Sequence, residues 1–116
     1  MPTVDEARLL AHLLRFCRGR DSGRSNAVLA KELELGERRL RSMVARMVEE
    51  EGCLIGTHPQ FGVFIVIDAG DYEIGLRCLN DHLWKLMRRK QEYEKSWAAA
   101  QAAPRSEVWV QQGLGL

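Results

Sequence analysis

The sequence predicts a mainly helical protein with one small β-hairpin and a long C-terminal helix. Three observations predict this fold class. Leucines recur at helical spacing through the first 50 residues, and the pattern then changes to β-branched and aromatic runs after Gly52. A second row of apolar residues starts at Leu76 and follows a spacing close to a heptad. With 116 residues, the chain is long enough to bury a single modest core.

Caps and apolar spacing indicate the first two helices. Thr3 and Glu6 fit a capping box, in which each side chain satisfies a free backbone N–H at the start of a helix. The polar loop "GRDSGRSN" then ends this helix, and Asn26 can cap a short second helix over residues 27–33. The expected buried side chains are Leu10, Leu13, Leu14 and Cys17 in the first helix and Val28, Leu29 and Leu33 in the second.

The third helix and the hairpin follow a tight connection. Apolar spacing predicts a helix from Glu37 to about Glu51, with Gly52 as its C-terminal cap. Its expected buried stripe is Leu40, Met43, Val44 and Met47. "CLIGT" and "VFIVI" are rich in strand-forming residues, and "HPQFG" between them has the Pro and Gly of a turn, so a β-hairpin is predicted over residues 53–67.

The last helix is predicted over residues 72–100, with Asp71 as its cap. Its first leucines, Leu76, Leu79 and Leu83, are expected to pack on the first helix and complete the core. The second half is longer than a small domain can cover, so a homodimer is expected to form through Leu86, Met87, Tyr93 and Trp97. Pro104 should stop the helix, and residues 101–116 are expected to form a flexible tail.

Composition narrows the function classes. No apolar run approaches the roughly 20 residues that cross a bilayer, and the N-terminus does not resemble an export signal. The three cysteines have no metal-ligand spacing and are expected to be reduced thiols in a cytoplasmic protein. There is no nucleotide-binding glycine loop and no nucleophile–base pattern, so we expect no catalytic residue, metal or cofactor.

Charge is divided unevenly along the chain. Residues 1–46 contain ten Lys/Arg and six Asp/Glu, whereas residues 47–76 contain six acids and no Lys or Arg. Residues 77–105 are basic again, with seven Lys/Arg against three acids. Two basic blocks around an acidic middle point weakly to a polyanionic partner on one face.

The stretch "LAKELELGERRLRSMV", residues 29–44, resembles the helix-turn-helix of bacterial and phage winged-helix DNA-binding proteins. The matching positions are Leu29, Ala30, Leu33, Leu35, Glu37, Arg38, Leu40, Arg41 and Val44. The resemblance implies a three-helix core plus a wing over residues 1–70, followed by residues 71–100 as a helix shared between core and dimer. Two positions depart from the family: Glu34 stands where it usually has Gly, and Gly36 where it usually has a Ser or Thr cap.

The resemblance implies sequence-specific binding of double-stranded DNA, in transcriptional regulation or in a phage or replication role. A major groove about 12 Å wide accepts one helix, which reads bases from its N-terminal half. The expected DNA-binding residues are Arg38, Arg39, Ser42 and Arg46 in the groove, with Arg41 and Lys31 on the backbone.

The sequence is also compatible with two alternatives. An arginine-rich helix face can simply be solvated, and the hairpin offers only His58 and Gln60 at its tip where winged-helix proteins often have Lys or Arg. The same scaffold could instead be a protein-interaction adaptor that does not bind DNA, using the acidic hairpin and the apolar last helix.

Overall fold

A computed structural model describes residues 2–102 of the chain. The elements in order are α1 (Val4–Phe16), a short 3-10 turn (Arg20–Ser22), α2 (Asn26–Leu33), α3 (Glu37–Glu51), β1 (Ile55–His58), β2 (Gly62–Ile65) and α4 (Ala69–Ala102). The mainly helical class with one hairpin and a long last helix is confirmed. The described residues divide into two units, one ending at Leu79 and the other beginning at Asn80. Of the expected tail, Gln101 and Ala102 are still helical, and Pro104 lies outside the described residues.

The start of α1 is a complete capping box. The Thr3 N–H donates to Glu6 Oε1 at 2.8 Å, and the Glu6 N–H donates to Thr3 Oγ1 at 3.2 Å. Leu13 and Cys17 are buried as predicted, and Leu9 completes the stripe, whereas Leu10 is only partly buried. The predicted burial of Leu14 is wrong, since its side chain is exposed. Leu9 and Leu14 both fit helical spacing with Leu13, and only packing against the other helices selects the face.

The cap of α2 also differs from the prediction. Ser25 is the cap, and its Oγ accepts the Val28 N–H at 3.1 Å, whereas Asn26 is the first helical residue. Either residue type can fill this role, so the sequence does not separate the two neighbours. Leu29 and Leu33 are buried as predicted, but Val28 is exposed.

The core lies among α1, α2, α3 and the hairpin. All four residues predicted on the buried stripe of α3 are buried, and Gly52 ends this helix in the left-handed region with φ 68°. The buried cluster consists of Leu9, Leu13, Cys17, Leu29, Ala30, Leu33, Leu40, Met43, Val44, Met47, Ile55 and Val63. Three short helices therefore share one apolar centre with the inner side of the hairpin.

The hairpin gains a third, irregular edge from the loop between α1 and α2. β1 and β2 are antiparallel, with Ile55 opposite Ile65 and His58 opposite Gly62. On the other side of β2, Val63 exchanges both backbone hydrogen bonds with Arg24, at 2.8 and 3.1 Å. Gly62 has φ 78°, and a Cβ there would collide with the Arg24 backbone, so this close approach requires glycine. β2 is thus held on both edges.

A buried carboxylate fixes the start of α4. Asp71 is 1% exposed and accepts the Ile67 N–H at 3.2 Å and the Arg20 guanidinium at 2.9 Å. Burial by itself would raise the pKa of Asp71, but these donors and the Arg20 N–H outweigh it and lower the pKa. Asp68, not Asp71, caps the first turn, since its Oδ1 accepts the Asp71 N–H at 2.7 Å. The predicted start of α4 was therefore three residues late.

The first leucines of α4 do not complete the core. Leu76 and Leu79 are exposed, by 40% and 61%, so the prediction that they are core residues is wrong, and Leu83 lies in the second unit, where it is 53% exposed. In the first unit, α4 approaches the hairpin through Gly75, where a Cβ would lie 3.5 Å from the Gly56 Cα. Glycine at both positions lets the two backbones come close together.

Candidate nucleic-acid interface

The turn before α3 sets the direction of that helix. Glu34 has φ 57° and ψ 45°, and its N–H donates back to the last turn of α2. The Leu35 N–H donates to the Ala30 carbonyl at 2.8 Å, and Gly36 begins α3 in extended conformation without a side-chain cap. Glu34 is the only non-glycine residue with positive φ in the described part of the chain. The left-handed turn occurs where the resemblance implies one, although the residue there is not glycine.

α3 has a buried side and an outward side. Leu40, Met43, Val44 and Met47 face the core, whereas Arg38, Arg41, Ser42 and Ala45 are exposed. Arg38 makes no hydrogen bond or ion pair with any residue between 2 and 102. Arg41 is 65% exposed and is only loosely paired with Glu37, at 3.6 Å. Two guanidinium groups and a hydroxyl are therefore accessible on the N-terminal half of this helix.

Arg39 and Arg46 lie on another side of α3 and contact acids of α1. Arg39 pairs with Asp5 at 2.5 Å while its side chain stays 60% exposed. Arg46 is more enclosed, with its guanidinium 2.8 Å from Glu6 and near both Glu50 and Glu51. The early arginines of α3 therefore do not all point outward together. The structure places Arg46 in the packing between α1 and α3.

Glu6 is the centre of this ion-pair network. Its side chain is 1% exposed, and the Thr3 N–H is the main cause of its lowered pKa, with smaller contributions from the Thr3 hydroxyl and Arg46. Glu6 raises the pKa of Arg46 in return. Both groups stay charged at neutral pH, and each compensates the burial of the other.

The basic residue expected on α2 is accessible. Lys31 is exposed in the last turn of that helix and forms no ion pair within residues 2–102. It lies three residues before the turn at Glu34, close in sequence to the start of α3. An ammonium group at such a position suits a phosphate contact rather than a base contact.

The hairpin tip contains one imidazole and no Lys or Arg. The Gln60 N–H donates to His58 Nδ1 at 3.0 Å, and the rings of His58 and Phe61 lie 5.1 Å apart. Since His58 accepts this hydrogen bond, its ring closes the turn rather than extending from it. Phe61 is half-buried against the turn. The tip is thus a compact structure without a Lys or Arg side chain for a phosphate.

An apolar groove of about 350 Å³ runs along α3 within the first unit. Val44, Ala45 and Val48 of α3 line it together with Ile55 of β1 and Leu79 of α4. Arg41 and Glu49 lie at its rim, eight residues apart on the same helix. By helix geometry their Cα atoms are about 12 Å apart along the axis. The groove therefore has an apolar floor with one base and one acid at its rim.

One polar cluster was not predicted from the sequence. Glu32 of α2 pairs with Arg24 and accepts a hydrogen bond from His12 Nε2 at 3.3 Å. The Arg24 guanidinium lies 4.9 Å from the Phe16 ring centre and, through its hydrogen bond, lowers the pKa of Glu32. These residues come from three separate segments, and no local spacing joins them. The cluster ties the loop before α2 to α1 and α2.

The residues expected at a dimer seam are all exposed. Leu86, Met87, Tyr93 and Trp97 lie on the part of α4 that belongs to the second unit. Tyr93 is the most exposed of them, at 80%. Their accessibility is what a partner surface requires.

Comparison with protein-family models, with curated proteins and with solved structures found no match for this chain. Among the described helices, none combines the length and the apolar composition that crossing a bilayer requires. The geometry of the chain's own residues is therefore the basis for inferring its function.

Proposed function

We propose that the chain is a winged-helix protein that binds double-stranded DNA sequence-specifically through the N-terminal half of α3. The element order supports this: three helices, a left-handed turn at Glu34 between the second and third, and then an antiparallel hairpin. The backbone pairing of Arg24 with Val63 adds a short third edge to this hairpin. The hairpin then corresponds to the wing.

The observation that carries the proposal is the accessible surface of Arg38, Arg41 and Ser42, which lies away from the buried Leu40 and Met43. Arginine can bind guanine edges with two parallel hydrogen bonds, and a serine hydroxyl can donate to or accept from bases. The free N–H groups at the start of α3, which has no side-chain cap, suit a phosphate. Together they form a small surface with the size and chemistry of a base-reading helix end.

The ion pairs define the edge of this proposed interface. Arg39 is a flanking contact, because a phosphate can compete with Asp5 for its exposed guanidinium. Arg46 is left out, because releasing it would strand the buried carboxylate of Glu6. Lys31 is assigned to the backbone of the DNA. The wing contributes little charge, so we expect a single module to bind with modest affinity.

The first test is selection of bound duplexes from a random pool, followed by fluorescence anisotropy on the selected sequence. R38A/R41A should weaken binding roughly 30-fold or more, since each bidentate base contact contributes about 1–3 kcal/mol. R15A is the matched control, because Arg15 is an exposed arginine in the last turn of α1. Binding should also fall steeply with salt, because phosphate contacts release counterions. Equal binding by R38A/R41A and the wild type, with unchanged circular dichroism, would refute α3 as the base-reading element.

One observation favours a second function, that of a protein-interaction adaptor. The groove beside α3 has an apolar floor and Glu49 at its rim, and residues 47–76 contain six acids without any Lys or Arg. A protein segment with apolar side chains and a basic residue complements that surface. A V48D variant would weaken such a partner and leave DNA binding unchanged, whereas R38A, at a residue outside the groove lining, would have the opposite pattern. The DNA sequence selected from the pool would indicate whether the protein acts in transcriptional regulation, in replication or in a phage.

A further inference from the structure

α4 carries a heptad pattern from Leu76 to Trp97. The residues at alternating spacings of three and four are Leu76, Leu79, Leu83, Leu86, Lys90, Tyr93 and Trp97. Six of these seven are large and apolar, and they fall on the a and d positions of successive heptads. Such a repeat brings all seven onto one seam of a helix that pairs with another helix.

The apolar residues of this seam are exposed in both units. Leu76 and Leu79 are exposed in the first unit, and Leu83, Leu86 and Tyr93 are exposed in the second. Exposed leucines at consecutive turns of one helix cost free energy in water, roughly in proportion to their apolar area. Single exposed apolar residues are ordinary on protein surfaces, but a row of this regularity marks a contact surface.

We infer that α4 pairs with α4 of a second copy of this chain as a parallel, in-register, two-stranded coiled coil. The second copy is the matching partner because the seam is complementary to itself in charge. Arg89 falls on a g position, and Glu94 falls on the e position of the following heptad. In a parallel pair, each g residue faces the next e residue of the other helix, so Arg89 meets the partner subunit's Glu94 on both sides.

An antiparallel pair lacks this complementarity in every register. There, g residues face g residues, and the g positions from Leu76 onward are His82, Arg89 and Ser96. None is an acid that could meet Arg89. Likewise, e residues face e residues, and Asn80, Met87 and Gln101 offer no base to Glu94. The attraction therefore exists only in the parallel orientation.

Lys90 at an a position fixes the register. A polar residue in the seam costs stability but penalises shifted pairings, which would place it against leucine. The Lys90 ammonium already lies 2.7 Å from Glu94 on the same helix. In the parallel dimer, Glu94 lies between its own Lys90 and the partner's Arg89, so one carboxylate compensates two cations. The three charged residues form one network on each side of the seam.

This inference holds whether or not α3 reads DNA. If it does, a two-fold symmetric pair presents two copies of α3 to two inverted half-sites, which raises the modest affinity of one module. Dimerisation is therefore measured without DNA. A failure of α4 to pair can then be distinguished from a failure of α3 to bind DNA.

The test uses sedimentation velocity and light scattering of the full chain over a wide concentration range. The wild type should be a dimer, and R89E and E94R should each weaken self-association roughly tenfold or more, because two attractions become two repulsions. R88E is the matched control: it makes the same charge change at the f position next to Arg89, on the outside of the coiled coil. It should leave the dimer unchanged.

Mixing the two charge variants tests whether the two α4 helices pair in parallel or antiparallel orientation. With one chain carrying a mass tag, R89E and E94R should form a heterodimer more readily than either forms a homodimer, since each substituted side chain then faces an opposite charge. L83N/L86N should be monomeric with the first unit still folded, as judged by its thermal transition. A monomeric wild type, equal weakening by R88E, or no preference for the heterodimer would each overturn the inference.

Discussion

Replacing Glu34 with glycine should stabilise the protein. Glu34 is the C-terminal cap of α2 with φ 57° and ψ 45°, and its side chain makes no hydrogen bond or ion pair within residues 2–102. A residue with a Cβ pays about 1–2 kcal/mol for this conformation, whereas glycine adopts it freely. Glycine also gives the unfolded chain more freedom, which costs about 0.4–1 kcal/mol. Removing an acid from a helix C-terminus stabilises the folded state by about 0.3 kcal/mol.

The net gain for E34G is about 1 kcal/mol in the free energy of unfolding. For a folded unit of this size, that corresponds to a rise of about 4–8 °C in Tm. The assay is thermal and urea unfolding followed by circular dichroism, with E34A as the matched control. E34A removes the same charge but keeps the Cβ, so it should stay within about 0.5 kcal/mol of the wild type. If E34A raised the free energy of unfolding as much as E34G, the lost charge and not the backbone conformation would be the cause. A loss of stability for E34G would refute the backbone argument.

Three further predictions concern the core, the pH dependence and the interface. Phe64 is fully buried over Gly56, so F64A should cost about 3–5 kcal/mol, measured by urea unfolding. The pKa of Glu6 is lowered in the folded state, so its stabilising contribution is present above its unfolded value of about 4.3 and is lost as pH falls through the folded value. Acid unfolding of E6Q should therefore be less steep than that of the wild type, and identical slopes would contradict the network at Glu6. D5N should release Arg39 and strengthen DNA binding a few-fold, measured by anisotropy; unchanged affinity would remove Arg39 from the interface.

Local patterns predicted the elements well where the determining contacts are close in sequence. The capping box at Thr3, the buried stripe of α3 and the glycine end of that helix are all confirmed. Each depends on residues within four positions of one another, so hydrogen bonding and helical spacing are visible in the sequence itself. The left-handed turn also appears at the predicted position, even though Glu34 is an unfavourable residue there.

The face of a helix was less predictable. Leu14 and Val28 fit the apolar spacing but are exposed, and Leu9 is buried without having been predicted. A helix with apolar residues on more than half of its circumference has several possible buried faces, and its neighbours choose among them. Leu76 and Leu79 of α4 likewise fit the apolar spacing and are exposed.

Helix positions, the hairpin and the heptad row of α4 follow from the sequence, because short-range spacing and capping produce them. Only the tertiary structure determines whether each charged side chain is accessible or forms an ion pair. Arg38, Arg39 and Arg46 look alike in the sequence, yet one is accessible, one pairs with Asp5, and one compensates the buried Glu6. Those acids lie more than thirty residues away along the chain, and an ion pair forms only where folding brings its members within a few ångströms of each other.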